Sequence, residues 1–139
     1  LSAYQDFSSF KLYMGDVGLL TFKSGMPAHN ILSSVERNNT FLGAIVENYV
    51  ADELRVNWNE LYYWDSAHTA EIDFIIQDED RIIPIEVKAS THARSRSLAV
   101  YREKYTPSYS IRISARNFGF ENGIKSVPLY AVFCIVRDT

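Results

Sequence analysis

Eighteen residues, 71–88, constrain the fold more tightly than any other stretch of this 139-residue chain. Glu71-Ile72-Asp73-Phe74-Ile75-Ile76 and Ile82-Ile83-Pro84-Ile85-Glu86-Val87-Lys88 are rich in β-branched and aromatic side chains, and the break between them, Gln77-Asp78-Glu79-Asp80-Arg81, is too polar to bury. Two strands joined by a tight turn, a β-hairpin, satisfy all three segments at once.

A turn centred between Glu79 and Asp80 makes cross-strand partners sum to 159, so Asp73 is expected opposite Glu86 and Glu71 opposite Lys88. Alternation puts these four on one face and Phe74, Ile83, Ile85 and Val87 on the other, a core face. Directly opposed residues hold their Cβ atoms about 4.5–5.5 Å apart, and two carboxylates that close repel unless a cation lies between them. Mg2+ or Mn2+ suits one or two carboxylates plus waters, and a lysine two residues after the second carboxylate can orient water or neutralise charge on a phosphate. The alternative is a solvated face whose charges protect a strand edge from aggregation.

Around the hairpin, a strand is expected through Tyr13, then a turn or helix start capped by Asp16. A loop with a short helical piece follows over 24–40, in which His29 is structural. Leu42, Ile45, Val46, Tyr49, Val50 and Leu54 recur at helical spacing after a cap at Thr40 or Asn39, which predicts a helix over 41–54. At 100° per residue Glu47 lies on the flank of that apolar stripe, so it needs a partner: water, or the hairpin site as a third acid. A strand over 59–64, a helix over 96–105 ending before Pro107, a strand over 109–114, a loop over 115–126 and a buried element over 128–136, helix or strand, complete the reading. The fold class is α/β, with a right-handed strand-helix-strand crossover after Lys88.

The length fits one domain, residues 1–139, and no apolar run approaches a membrane span. Leu1-Ser2-Ala3 carries neither an initiator methionine nor signal-peptide regions, so the chain is expected to be a fragment of a longer one. The single cysteine, Cys134, fits a reducing cytoplasm. From Lys88 to Arg116, seven basic residues face the lone acid Glu103, a local +6 that leaves −9 elsewhere in a chain of net charge −3. Arg94, Arg96 and Arg102 in this strip are candidate contacts to nucleic-acid phosphates, against the alternative of a solvated basic helix face.

Glu47, then Asp73, then Glu86-Val87-Lys88, in that order, resemble the PD-(D/E)XK nuclease superfamily. More narrowly, Lys11-Leu12-Tyr13, Asp16-Val17-Gly18-Leu19-Leu20, Gly43-Ala44-Ile45-Val46-Glu47, Glu71-Ile72-Asp73-Phe74, Ile85-Glu86-Val87-Lys88 and Pro128-Leu129-Tyr130 look like the C-terminal domain of bacterial and archaeal AAA+ family ATPases. The resemblance implies a restriction-endonuclease-like core, a mixed central sheet flanked by helices. It further implies Asp73 and Glu86 as metal ligands, Glu47 as an auxiliary ligand and Lys88 as the catalytic lysine. Ile72 stands where that superfamily has proline.

Two functions follow as expectations. One is Mg-dependent hydrolysis of DNA by a domain attached to an AAA+ ATPase, whose ATPase region would be a partner within the same polypeptide. The other is a non-catalytic module that binds nucleic acid or protein and regulates that ATPase. No nucleotide-binding loop of the Gly-x-x-x-x-Gly-Lys-Ser/Thr kind is present, and an oligomer is allowed by the sequence without being required.

Overall fold

A computed structural model describes residues 1–25, 27, 40–58, 60–66, 69–90 and 96–137. In chain order the described elements are α1 (Val17–Ser24), α2 (Thr40–Asn57), β1 (Tyr62–Asp65), β2 (Glu71–Asp78), β3 (Arg81–Val87), α3 (Arg96–Tyr105), β4 (Ser110–Ser114), β5 (Gly119–Glu121) and β6 (Ile124–Pro128), with short 3-10 helices at Ser2–Tyr4 and Leu129–Cys134. The strands form one six-stranded mixed sheet, order β1-β2-β3-β4-β6-β5. β3, β4 and β6 run parallel to their neighbours in that series, and the other three pairs are antiparallel. This is a mixed α/β domain with helices on both faces of the sheet.

The hairpin takes the expected register. Phe74 pairs with Ile85, Ile75 with Pro84, Ile76 with Ile83, Gln77 with Ile82 and Asp78 with Arg81, each pair summing to 159. β4 reaches only Ile85, Glu86 and Val87, so Pro84 sits where β3 still has an unpaired edge, a position that tolerates a residue without an N–H. Phe74, Ile76, Ile83, Ile85 and Val87 pack with Val50, Ala51, Leu54 and Trp58 of the α2 region and with Ala131, Val132 and Ile135. Val46 and Tyr49 are only half-buried against this core, and Ile45 is buried. On the opposite face Ile72 and Ile75 pack with Leu98 and Tyr101 of α3.

Ile72 and Phe74 should share a face by simple alternation, and they do not. Pairing to β1 slips between Tyr62↔Ile75 and Trp64↔Ile72, a bulge that places one extra β2 residue between these two rungs. The bulge reverses the alternation at Asp73 and Phe74.

Four other expectations need correction. Residues up to Tyr13 form no strand: the segment is an arm whose polar side chains bond to α2 in place of a sheet ladder. The expected loop over 115–126 contains β5 and the start of β6, joined at Asn122-Gly123, both with positive φ (51° and 70°). That dipeptide is a strong hairpin signal, and it closes a hairpin whose first strand is only three residues long and exposed, with no apolar alternation to mark it. The final apolar run, open between helix and strand, is the end of β6 followed by a 3-10 helix kinked at Ala131, and it is only partly buried, with Tyr130, Phe133 and Val136 exposed. The strand expected over 59–64 begins only at Tyr62. The short helical piece placed in 24–40 falls mostly outside the described residues. Asp16 caps α1 as expected, its Oδ1 accepting the Leu19 N–H at 2.9 Å.

Glu79, at the β2–β3 turn, has φ 54°, a region that costs a non-glycine residue about 1–2 kcal/mol. Glu79→Gly should therefore be neutral to stabilising. Gly123→Ala should cost about 1–2 kcal/mol, because its φ is 70° and an added Cβ would meet Arg102 Nη2 at 2.7 Å. Chemical denaturation of both variants checks this; equal effects of the same sign would contradict it.

Candidate functional site

The β2–β3 ladder stops at Phe74↔Ile85, and the expected Asp73↔Glu86 rung is absent. In its place the Asp73 carboxylate reaches across: Oδ2 accepts the Val87 N–H at 2.7 Å. Beyond this point β2 is held by β1, through Trp64↔Ile72 and Asp65↔Glu71, while β3 is held by β4. The two strands part where the acids lie, and a side chain fills the gap that the backbone leaves.

The acids and bases collect around this fork. Glu47 projects from the middle of α2, and its Oε1 accepts from Lys11 Nζ at 3.0 Å and from the Tyr13 hydroxyl at 2.7 Å. Lys11 also forms an ion pair with Glu71. The partner required for Glu47 by its place beside the apolar stripe is thus a lysine and a tyrosine on the N-terminal arm. The arm is clamped by Asn48, buried in α2, whose side chain accepts from Met14 N at 2.8 Å and donates to Met14 O at 3.0 Å. Tyr13 packs its ring on Phe74, and Lys11 lies over the ring of Tyr63.

Glu86 is not on an open face: it is 1 % exposed. Its Oε1 lies 3.1 Å from Lys88 Nζ, and its Oε2 has no hydrogen-bond partner among the described residues. Because Ile85 and Val87 face the α2 core, alternation turns Glu86 the other way, together with its register partner Arg112, whose buried Nε is also without a partner. Lys88 links the two sides, since its charge also acts on Asp73.

Burial is the main influence on Asp73 and pushes its carboxyl up to about 6; the Val87 N–H opposes this, the charge of Glu47 adds to it, and Lys11 and Lys88 oppose it. Burial alone would lower Lys11, yet its contacts with Glu71 and Glu47 raise it above the ordinary lysine value. The Tyr13 hydroxyl is held protonated far above its usual range by burial and by donation to Glu47.

As a metal site, the donors are of the right kind, hard carboxylate oxygens, and Glu86 has one oxygen free. Their arrangement is divided: among the described residues no three acid, histidine or cysteine side chains come together as a metal-holding group. Ammonium groups of Lys11 and Lys88 stand beside the carboxylates instead. Of the basic strip, Arg96 is exposed at the start of α3, Arg102 lies against the Gly123 turn, and Arg94 is outside the described residues. Lys11, Tyr13 and Asn48 were not expected at the site. Each was legible only as a polar residue in apolar surroundings, because nothing in the local pattern pairs the arm with a helix more than thirty residues away.

The fold and fork define a mixed α/β domain with an acid-and-lysine cluster at the open end of its hairpin. The chain belongs to the family described as Domain of unknown function (DUF4143), which matches residues 42–132. The matched stretch contains Glu47, Asp73, Glu86 and Lys88 and excludes the arm that carries Lys11. Neither the curated proteins nor the solved structures yield a match. No helix among the described residues is long and apolar enough to cross a membrane.

Raising Asp73 from an ordinary value of 3.8 to about 6 means the folded protein binds a proton that the unfolded chain releases. Through Asp73, stability should fall as pH rises between about 4 and 6, by at most ~3 kcal/mol and less after solvent screening. Asp73→Asn should flatten this slope and, at pH 7, raise the melting temperature by roughly 3–5 °C for each kcal/mol recovered. A lower melting temperature for Asp73→Asn at pH 7 would contradict the assignment.

Proposed function

We propose that this domain is a Mg2+- or Mn2+-dependent nuclease of PD-(D/E)XK type that hydrolyses DNA phosphodiester bonds, attached to an AAA+ ATPase in the cytoplasm. The observation that carries the reading is the fork: Asp73 and Glu86 lie on adjacent strands just where the strands part, and Lys88 acts on both. Glu47 adds a carboxylate from α2 on the Asp73 side. The order helix, three antiparallel strands, helix, parallel strand supports the restriction-endonuclease-like core that the resemblance implies.

Asp73, with Glu47 as auxiliary, would hold the cation on the α2 side, and Glu86 would complete the set by turning across the fork. When bound, the ion would polarise a phosphoryl oxygen and favour hydroxide over water as nucleophile. Lys88, its ammonium beside Glu86, is placed to offset negative charge building on a non-bridging phosphate oxygen. Arg96, exposed at the head of α3, can bind the DNA backbone, as Arg94 would on the same strip. Arg102 has a structural contact with the Gly123 turn and contributes charge to the strip.

A second reading rests on a specific observation: Lys11 and Lys88 already neutralise the carboxylates, and among the described residues no three acids form a metal-holding group. A domain so balanced could bind nucleic acid or a protein and regulate the ATPase without turnover.

Cleavage of single-stranded, duplex and branched DNA with magnesium or manganese separates the two. Wild type should cut in a metal-dependent manner, and Asp73→Ala, Glu86→Ala and Lys88→Ala should each abolish cutting while far-UV circular dichroism stays native. Arg96→Ala should weaken DNA binding and reduce its salt slope by about one. A wild-type protein that binds DNA and cuts none of the three, in the full polypeptide and with either metal, supports the regulatory module.

A further inference from the structure

Lys11 belongs to the Lys11-Leu12-Tyr13 motif of the resemblance, which gives it no role, and lies outside residues 42–132 of the family match. It enters on an extended arm in which Ser9, Lys11 and Tyr13 turn inward, to Tyr63, Glu47, Glu71 and Phe74, while Phe10 and Leu12 are exposed. The arm does not hang loosely. Asn48 holds both backbone polar groups of Met14, so Lys11 is delivered to one place. There its ammonium contacts Glu71 and lies 3.0 Å from Glu47 Oε1, and its charge acts on Asp73. Three carboxylates are thus served by one internal cation, on the side of the fork where the proposed metal would take Asp73 and Glu47.

An ammonium and a divalent ion cannot share that space. Both need the same oxygen lone pairs, and two cations a few ångströms apart repel even where solvent screens most of the interaction. We propose that Lys11 is a built-in competitor of the divalent cation: the arm fills the cation position with its own charge, and metal binds only as Lys11 withdraws. This rests on the metal-site reading above and adds to it a residue that sets metal affinity. Glu86 faces the other side of β3 and is untouched by Lys11, so the competition is for the oxygens of Asp73, Glu47 and Glu71. The arm bears the exposed Phe10 and Leu12 beside Lys11, so whatever displaces the arm controls the site.

The test is calorimetric titration of the whole chain with manganese alone, with no DNA and no turnover. Lys11→Met should bind manganese about tenfold more tightly than wild type, the residue of a unit-charge repulsion after solvent has screened most of it. Lys11→Arg, which keeps the charge, should bind as weakly as wild type. So should Lys23→Met, which makes the same change of net charge on the exposed end of α1. Equal affinity of wild type and Lys11→Met, or equal tightening by Lys23→Met, overturns the proposal while leaving the metal site standing. If wild type and all three variants take up no manganese, the proposal and the metal reading fall together. Should Lys11→Met not fold without metal, recovery of its far-UV circular dichroism in millimolar manganese supports the proposal, and a chain that stays unfolded overturns it.

Discussion

Mutual repulsion among carboxylates at one end of a hairpin is the constraint on which the rest of this domain depends. Glu47, Glu71 and Asp73 stand near one another, and Glu86 is buried close by on the next strand. Unpaired, such charges would cost several kcal/mol each to desolvate. The structure meets this in three ways: Lys11 bridges Glu47 and Glu71, Lys88 sits against Glu86, and Asp73 shares in the Val87 N–H and shifts toward its protonated form. Neutralisation is achieved by pairs rather than by a single cage, which gives the cluster a stable form of its own.

The sheet supplies the geometry by breaking its own regularity. A continuous ladder from Asp73 to Glu86 would have put the two carboxylates face to face across about 5 Å. The β2 bulge opposite β1, and the hand-over of β3 to β4, part the strands at that point and turn Asp73 to the α2 side. Phe74, on the α2 face by its pairing with Ile85, lies under Tyr13, so the arm is anchored on the core as well as on α2. Core packing and site therefore share residues: Glu47 and Asn48 are neighbours of Val50 and Ala51, which are fully buried against the hairpin. A change that rotates α2 by one residue would move the core and the charge cluster together.

Aromatic contacts at the end of α2 and across the sheet tie in the remainder. At the C-terminal end of α2 Trp58 donates from its indole N–H to Ile135 O at 2.9 Å, which fixes the segment after the last 3-10 helix. Across the sheet, Trp64, Tyr101 and Tyr105 stack edge-on and tilted, and join the β1 edge to α3. These contacts hold the layers whose relative position sets the width of the fork.

Much of this was legible in the chain itself, for a physical reason: it was local. The hairpin register follows from two β-rich arms and a two-residue turn, and all five observed rungs obey it. The α2 helix, the α3 helix over 96–105 and the Asp16 cap follow from 3.6-residue periodicity and from side chains bonding their own backbone. That Glu47 must have a partner was evident from its position beside an apolar stripe. Who the partner is was not. Lys11 and Glu47 are joined only when the chain folds back over more than thirty residues, and no periodicity encodes that return. The bulge that turns Asp73 away from Glu86 likewise belongs to the pairing of β2 with β1, a contact between strands whose register no hairpin turn specifies. Period and turn chemistry determined the elements and the acids they carry; only tertiary packing decided which of those charges meet.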